Sequence, residues 1–433
     1  MKFEDLPTDI VDRILIFIPD LSTLSAALLT SKGYIYNVYQ AHPNSIFQAV
    51  AYNITGPALS QALRVAKFEK TAPGVYDKVP NEQQAIKKLL HDKKVTSTLL
   101  RNANVVNKLE VAFSRRNKDR TSTRSVLTDI EAKRFHRAIY RIWALVIFQE
   151  TVRDGTAKTK ITEYMGTLSI AEVLELDCVR EFFKYTRQWT YMAGYGYSTQ
   201  DRCFSRPNYI AEAYENADPV HIGHSYEDSP QHLDSVLSNV LICEHKLDDK
   251  KRAEQRKKAI LDSVIGETDI CYRCNAVMGS QLWGSKNWDL LQGHVGLATL
   301  LRGNLCGNML EHEAFRIYVN SNYHKVETEH QFSDMIEEFF DIDSGDAEDW
   351  DKTKWYCFDC MLVFMKRRAW KWWYQQKQSL PDYDAQVDCW YGYNCRTQTH
   401  RLRHAQTKNH LCVPIRGDPH PDELELENTA SNS

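Results

Sequence analysis

The sequence predicts a mainly α protein whose C-terminal third is chemically different from the rest. Three observations carry this. Residues 46–270 contain few glycines or prolines within their apolar runs, and those runs repeat at helical spacing. A capping box, Thr128 with Glu131 three residues on, opens the clearest of them. Eight of the eleven cysteines and eight of the ten tryptophans lie at or after position 271. With 433 residues the chain exceeds one domain's usual length.

Residues 5–41 read as three short helices, within a first unit assigned to 1–45. Leu6-Pro7 opens the first helix, Ile10, Ile14, Leu15 and Ile18 share a face, and Pro19-Asp20 ends it. Ser22 can cap the second helix, which turns Leu24, Leu28 and Leu29 inward, and the third carries Tyr34, Val38 and Tyr39. So small a unit buries little core and calls for a partner or a neighbouring domain.

A helical domain over 46–265 comes next. Phe135, Ile139, Ile142, Trp143 and Val146 line one face of the helix after Thr128. Ile170 to Phe183, with Val173, Leu174, Leu176, Val179 and Phe182, suggests another. Gln188–Pro207 is poor material for regular structure, and its Gly194-x-Gly196 lacks the third glycine and flanking strand of a dinucleotide loop. Residues 341–351 carry six acids and no base, the pattern of an exposed loop. The acidic, polar tail, 419–433, reads as disordered.

Net charge is −3 with 26% charged residues, which excludes a protein whose whole surface binds nucleic acid or membrane. No apolar run of bilayer-spanning length occurs, so no membrane partner is expected. Met1-Lys2-Phe3-Glu4-Asp5 lacks the basic start and apolar stretch of a signal peptide, and a nuclear and/or cytoplasmic location is expected. In those compartments cysteines are free or metal-bound rather than disulfide-paired.

Two spacings point to metal. Cys271-x-x-Cys274 and Cys357-x-x-Cys360, 82 residues apart, are two knuckles that can each offer two thiolates to one tetrahedral zinc ion. The expected module spans 266–382, with Trp283, Trp288, Trp355, Trp370, Trp372 and Trp373 as core and an amphipathic helix from Met361 to Trp373. Four sulfurs close the shell, so its role is structural. Cys306, His294 and His312 lie between and can replace a ligand. A RING needs eight closely alternating ligands, which this segment lacks. The second site lies in 383–418, where Cys389 and Cys395, then His404 and His410, are each separated by five residues. His400 can stand in for His404, and Cys412 is a spare. A segment this short folds only with its metal, so two zinc ions are expected in the chain.

These residues carry two resemblances. Leu6-Pro7-x-x-Ile10, Ile14-Leu15, Pro19-Asp20-Leu21, Leu24 and Leu28-x-Thr30-Ser31-Lys32 together resemble an F-box. Ala41-His42-Pro43 and Ala51–Ala66 resemble the segment after the box in fungal F-box proteins. The resemblance implies docking on the Skp-type adaptor of a cullin ubiquitin ligase, through Leu6, Pro7, Ile10, Ile14 and Leu15. Cys-x-aromatic-Gly-x-Asn-Cys-Arg-Thr-Gln, from Cys389 to Gln398, then His404-Ala405 and Asn409-His410-x-Cys412, is similar to the poly(ADP-ribose)-binding zinc finger. With Cys357-x-x-Cys360 and an aromatic helix before it, the order is that of checkpoint ubiquitin ligases with forkhead-associated and RING domains. Those two domains have no counterpart in this chain. An extra residue between Cys395 and His404 departs from that family and leaves the third ligand open. Arg396 stands where many such fingers carry tyrosine.

That resemblance implies a non-catalytic substrate receptor for poly(ADP-ribosyl)ated proteins. Tyr391 can stack on adenine, and Arg396 can stack on a base or fork onto phosphate. Residues 389–416 hold Arg396, Arg401, Arg403, Lys408 and Arg416 and no acid, a local anion site that also suits RNA or DNA. Weaker patterns are the basic run Lys250-Lys251-Arg252 with Arg256-Lys257-Lys258, and the pairs His221-x-x-His224 and Cys243-x-His245. No Gly-x-Ser-x-Gly, phosphate loop or acid pair suggests an enzyme.

Overall fold

Apolar residues at helical spacing form most of the elements in the computed structural model, which describes residues 5–70, 78–82, 93–152, 156–190, 205–216, 231–323, 331–343 and 350–417. The fold is mainly α, as expected. Its buried apolar side chains fall into three clusters along the chain. The Gly194-x-Gly196 and His221-x-x-His224 patterns, most of the acidic 341–351 run and the 419–433 tail lie outside the described residues.

The first cluster is built by helices Thr8–Ile16, Leu21–Thr30, Ile35–Ala41 and a fourth, Pro43–Thr55, which supplies Ile46 and Val50. Proline at the first helical position starts that fourth helix, where its missing N–H costs nothing. Leu15 and, just past the helix, Ile18 face inward as expected, and Val11 joins them in place of Ile10 and Ile14. Ile10 and Ile14 are 40% and 41% exposed, and Phe17 is 79% exposed. Leu29 also faces outward. Asp20, not Ser22, caps the second helix: its carboxylate accepts from Thr23 N at 2.8 Å, and the Ser22 hydroxyl donates to that same carboxylate.

The second cluster surrounds helix Asp129–Thr151. Thr128 and Glu131 form the expected reciprocal cap. From Phe135 to Phe148 nearly every residue of this helix is buried, so it is a central helix rather than a one-faced one. Helices Leu59–Phe68, Lys93–Asn117 and Ile170–Thr190 pack around it. Ile170–Thr190 extends the expected helix by two turns and buries Val173, Leu174, Leu176, Val179 and Phe182. Helix Asp249–Ile260 lies along Ile170–Thr190 through a buried ion cluster. Asp177 is completely buried and accepts from Arg252 Nε at 2.9 Å and Arg180 Nε at 2.9 Å, with Arg256 at 3.5 Å. Two members of the 250–258 basic run therefore point into the fold and are neutralised there.

The third cluster gathers Trp283, Trp288, Trp370, Trp372 and Trp373, all buried, while Trp355 is half-buried. The expected helix from Met361 runs from Phe358 to Gln378 and is buried on more than one face. Its indoles find partners inside: Trp372 Nε1 donates to Glu338 at 2.7 Å and Trp373 Nε1 to Glu311 at 3.1 Å. The second and third clusters meet where Arg115 donates to both oxygens of Asp289 at 2.8 Å and Trp189 Nε1 donates to the Asp289 carbonyl at 2.8 Å.

The Arg180, Arg252 and Arg256 guanidinium groups lower the Asp177 pKa from 3.8, against the effect of burial. A depressed carboxyl pKa stabilises the fold above the unfolded value and loses that contribution as pH falls through the folded one. Asp177→Asn should therefore cost about 3–5 kcal/mol at neutral pH, because it leaves buried arginines uncompensated. Urea unfolding should also show a flatter decline of stability below pH 4 in the variant than in the parent, the expected range for a group with an unfolded pKa near 3.8.

Candidate metal centres

The first knuckle is a tight turn in which Cys271 N donates to Ala276 O and Asn275 N to Cys271 O, both at 2.9 Å. The turn needs a left-handed residue and takes it at Asn275, φ 56°. The second knuckle starts the long helix: Cys357 is its N-cap, and its sulfur accepts from Cys360 N at 3.5 Å. Backbone pairing brings the two together. Leu282–Trp283 pairs antiparallel with Tyr356–Cys357, and Tyr272 N donates to Trp355 O at 2.9 Å.

The result is a cluster of Cys271, Cys274, Cys357 and Cys360 whose sulfurs all lie within 4.8 Å of one another. Cys274 and Cys357 sulfurs are 3.7 Å apart, far beyond a disulfide bond. Tetrahedral zinc with bonds of about 2.3 Å to sulfur requires an edge of roughly 3.8 Å. The electrostatics suit a cation. Cys357 is pulled down to about 5, first by the Cys360 thiol that hydrogen-bonds to it, while Cys360 and Cys274 are raised. A metal bound among the four sulfurs would displace thiol protons.

The finger folds around Gly392. It sits at φ 43°, and a Cβ there would lie 2.2 Å from the Cys412 carbonyl oxygen, so the reversal between the two cysteines requires glycine. Cys389 N donates to Asn409 O at 2.9 Å and Asn409 N to Val387 O at 3.1 Å, which sets the histidine arm beside the cysteine arm. Asn409 also donates to Asp388 and accepts from Leu411 N. Cys389, Cys395, His404 and His410 then converge within 4.8 Å.

His404 Nε2 stands 3.6 Å from the Cys389 sulfur and 3.4 Å from the Cys395 sulfur. For zinc bound to one sulfur and one nitrogen at ordinary lengths that edge is roughly 3.6 Å. His410 is completely buried, and its two ring nitrogens are orphaned. Burial, and then His404, push His410 down to about 4, which keeps it neutral and ready to ligate. An orphaned buried imidazole beside two thiols fits a soft divalent ion. The two clusters together are compatible with two zinc ions.

The expected stand-ins lie elsewhere. His400 is exposed against the Thr399 hydroxyl, and the Cys412 thiol, raised to about 11 by burial, points at the Cys389 and Asn409 carbonyls. Cys306 is exposed beside the Gly303 carbonyl, and His294 lies at the seam with the helical cluster. Neither these residues nor His312, Cys243 and His245 enter a metal-type cluster among the described residues.

The finger is docked on the tryptophan-rich module. Asn304 donates to the Asn394 carbonyl at 2.7 Å and Asn308 to Gln398 at 3.0 Å. Tyr393 packs on Trp370 at 5.1 Å between ring centroids, and the Arg302 guanidinium lies 4.7 Å over the Tyr393 ring. Tyr393 is therefore a structural aromatic of the finger, while Tyr391 is 46% exposed. Arg396 is exposed too. Sequence reasoning missed Trp390, which is exposed and carries Arg416 at 4.2 Å over its ring. The signal available for it was its place next to Tyr391 and the basic residue after the last cysteine.

Of the residues expected to contact an adaptor, Pro7, Ile10 and Ile14 are exposed and Leu6 is half-buried. Leu15 is 2% exposed and packs within the unit. The chain matches no protein-family profile, no curated protein and no solved structure.

Metal analysis of the purified chain should find two equivalents of divalent metal per molecule. Cys271→Ser and Cys389→Ser should each lose about one equivalent, since each deletes one ligand of a four-ligand shell. His400→Ala should keep both.

Proposed function

We propose that this chain is a substrate-receptor subunit of a Skp–cullin–F-box ubiquitin ligase that recognises poly(ADP-ribosyl)ated proteins. The observation that carries this reading is the finger's surface. Cys389, Cys395, His404 and His410 turn inward, and Tyr391, Trp390, Arg396 and Arg416 stay at the surface. Two zinc ions hold the module and the finger. Each closed shell leaves no position for water or substrate, so their role is structural.

ADP-ribose polymer presents flat adenines and paired phosphates. Tyr391 supplies a face for adenine, worth roughly 1–3 kcal/mol per stacked base. Arg396 supplies a planar donor fork for phosphate or a second stacking surface. Five bases and no acid between 389 and 416 attract the polyanion to this end of a chain whose net charge is only −3. Repeated units along one polymer raise the effective concentration of the next unit, which lengthens residence on a heavily modified target.

At the other end, Pro7, Ile10, Ile14 and Phe17 form an apolar surface on the first helix. This surface favours a hydrophobic protein partner, and the F-box pattern of the same residues makes that partner a Skp-type adaptor. The chain then delivers a modified protein to a ubiquitin-conjugating enzyme recruited by the rest of the ligase, in the nucleus or the cytoplasm. It performs no chemistry itself. The absence of a membrane-crossing helix among the described residues is in keeping with this, without fixing the compartment.

The alternative is a zinc-stabilised scaffold that binds RNA or DNA without ubiquitin function. One experiment separates the two. The zinc-loaded chain is bound to poly(ADP-ribose) with equal masses of RNA and single-stranded DNA as competitors. Selective retention of polymer, weakened about tenfold or more by Tyr391→Ala with metal content unchanged, supports the reader function. Equal displacement by RNA supports the scaffold. For the adaptor, Ile14→Asp with Pro7→Ala should abolish co-purification with a Skp-type protein while leaving the helical content intact. Unchanged capture would remove the F-box assignment.

A further inference from the structure

The seam between the helical cluster and the cysteine-rich module holds an arrangement that the proposed function does not use. Arg116 is 4% exposed, and Arg120, one helical turn on, is half-buried. Arg120 is held by a hydrogen bond from its Nε to the Arg116 carbonyl at 2.8 Å. Its Nη1 is buried without a hydrogen-bond partner. Arg116 contacts the His294 ring nitrogen Nε2. Among the described residues neither guanidinium group has a carboxylate within ion-pair distance. Asp289, whose charge acts on Arg116 only through space, gives both of its oxygens to Arg115 at 2.8 Å.

Two like charges buried side by side without a counter-ion are expensive. Burial and a like neighbour each weaken a cation's hold on its proton, and both operate at this seam. Burial lowers Arg116 to about 10, and burial followed by the Arg116 charge lowers Arg120 to about 9. His294 is held neutral by burial and by both arginines, so its Nε2 accepts from Arg116 rather than adding a third charge. Aromatic faces keep the guanidinium planes in place: Trp283 lies 4.7 Å below Arg120, and Tyr185 lies 5.4 Å from Arg116. These faces offset part of the cost but leave the Arg120 Nη1 donors unused.

We infer that this seam is a binding site for a phosphate-class oxyanion, seated between the Arg116 and Arg120 guanidinium groups. A phosphate matches the donors in kind: planar N–H forks on one side and oxygens with free lone pairs on the other. It supplies the missing counter-charge and satisfies the buried donor. Tyr185, 37% exposed, marks the way in from solvent. Because Arg116 lies in the last turn of helix Lys93–Asn117 and Arg120 just past its end, while Trp283 and His294 belong to the module, the anion fastens the two together. The site is separate from the finger and does not depend on its reading.

The test uses the full-length, zinc-loaded chain carrying Arg396→Ala, which weakens the anion contact proposed for the finger. Inorganic phosphate, pyrophosphate and ADP are titrated at constant ionic strength, with sodium chloride as the control, by calorimetry and by the shift of the thermal midpoint. Saturable binding of at least one probe is expected, with about tenfold weaker binding in Arg120→Gln, the loss of one charge-assisted fork. Arg120→Gln is chosen because its half-buried side chain can be replaced without opening the core, and its folding is checked by circular dichroism. Equal affinity for pyrophosphate and ADP identifies a simple phosphate ligand; tighter ADP identifies a nucleoside phosphate with its base on Tyr185. No saturable binding of any probe, or binding unchanged by Arg120→Gln, overturns the assignment.

Discussion

Everything in the C-terminal third depends on bringing Cys271 and Cys274 beside Cys357 and Cys360 across 82 intervening residues. Closing a loop of that length costs about 4–5 kcal/mol in chain entropy. Structural zinc in small domains contributes about 10–16 kcal/mol at neutral pH, enough to offset that cost with a surplus. The two-residue strand pair, the start of the long helix at Cys357 and the Tyr272–Trp355 backbone bond all lie close in sequence to the four cysteines. The tryptophans pack behind this clamp, and their buried indoles are steered by Glu338 and Glu311.

The clamp also positions the finger. The 302–308 segment leaves the module and meets Asn394, Tyr393 and Gln398, with Gly303 at φ 57° so close to Asn394 and the Tyr393 carbonyl that a side chain would not fit. One face of the finger is thereby spent on the module. The face with Trp390, Tyr391, Arg396 and Arg416 remains exposed. A small element with a metal-type ligand set thus becomes a fixed outpost of a larger body, and the reader function proposed for it needs no further ordering on binding.

Much of this was legible because metal ligation imposes spacing. The eight expected ligands, two cysteine pairs and two cysteines with two histidines, are the eight that converge, and the extra residue before His404 did not displace it in favour of His400. The Thr128 cap was legible for a similar reason: a reciprocal hydrogen bond fixes two residue types three apart. Amphipathic faces were read less well. In the first helix Ile10 and Val11 are adjacent, as are Ile14 and Leu15, so apolar residues line two faces and periodicity alone cannot choose the inner one. Packing of the fourth helix, Pro43–Thr55, against Val11 and Leu15 decides it. The Arg116–Arg120 seam had no signature at all, since buried arginines are recognised by what surrounds them and not by spacing.

The central claim is that metal organises the tryptophan-rich module and the finger as one unit while the helical cluster stands without it. Hydrogen exchange followed by mass spectrometry, before and after stripping metal with a chelator, measures this directly. The account predicts that protection collapses together in Met309–Asn322, Phe358–Gln378 and the 389–412 segment, that polymer binding disappears with it, and that Asp129–Thr151 keeps its protection. Unchanged protection in the long helix after complete removal of metal would contradict it.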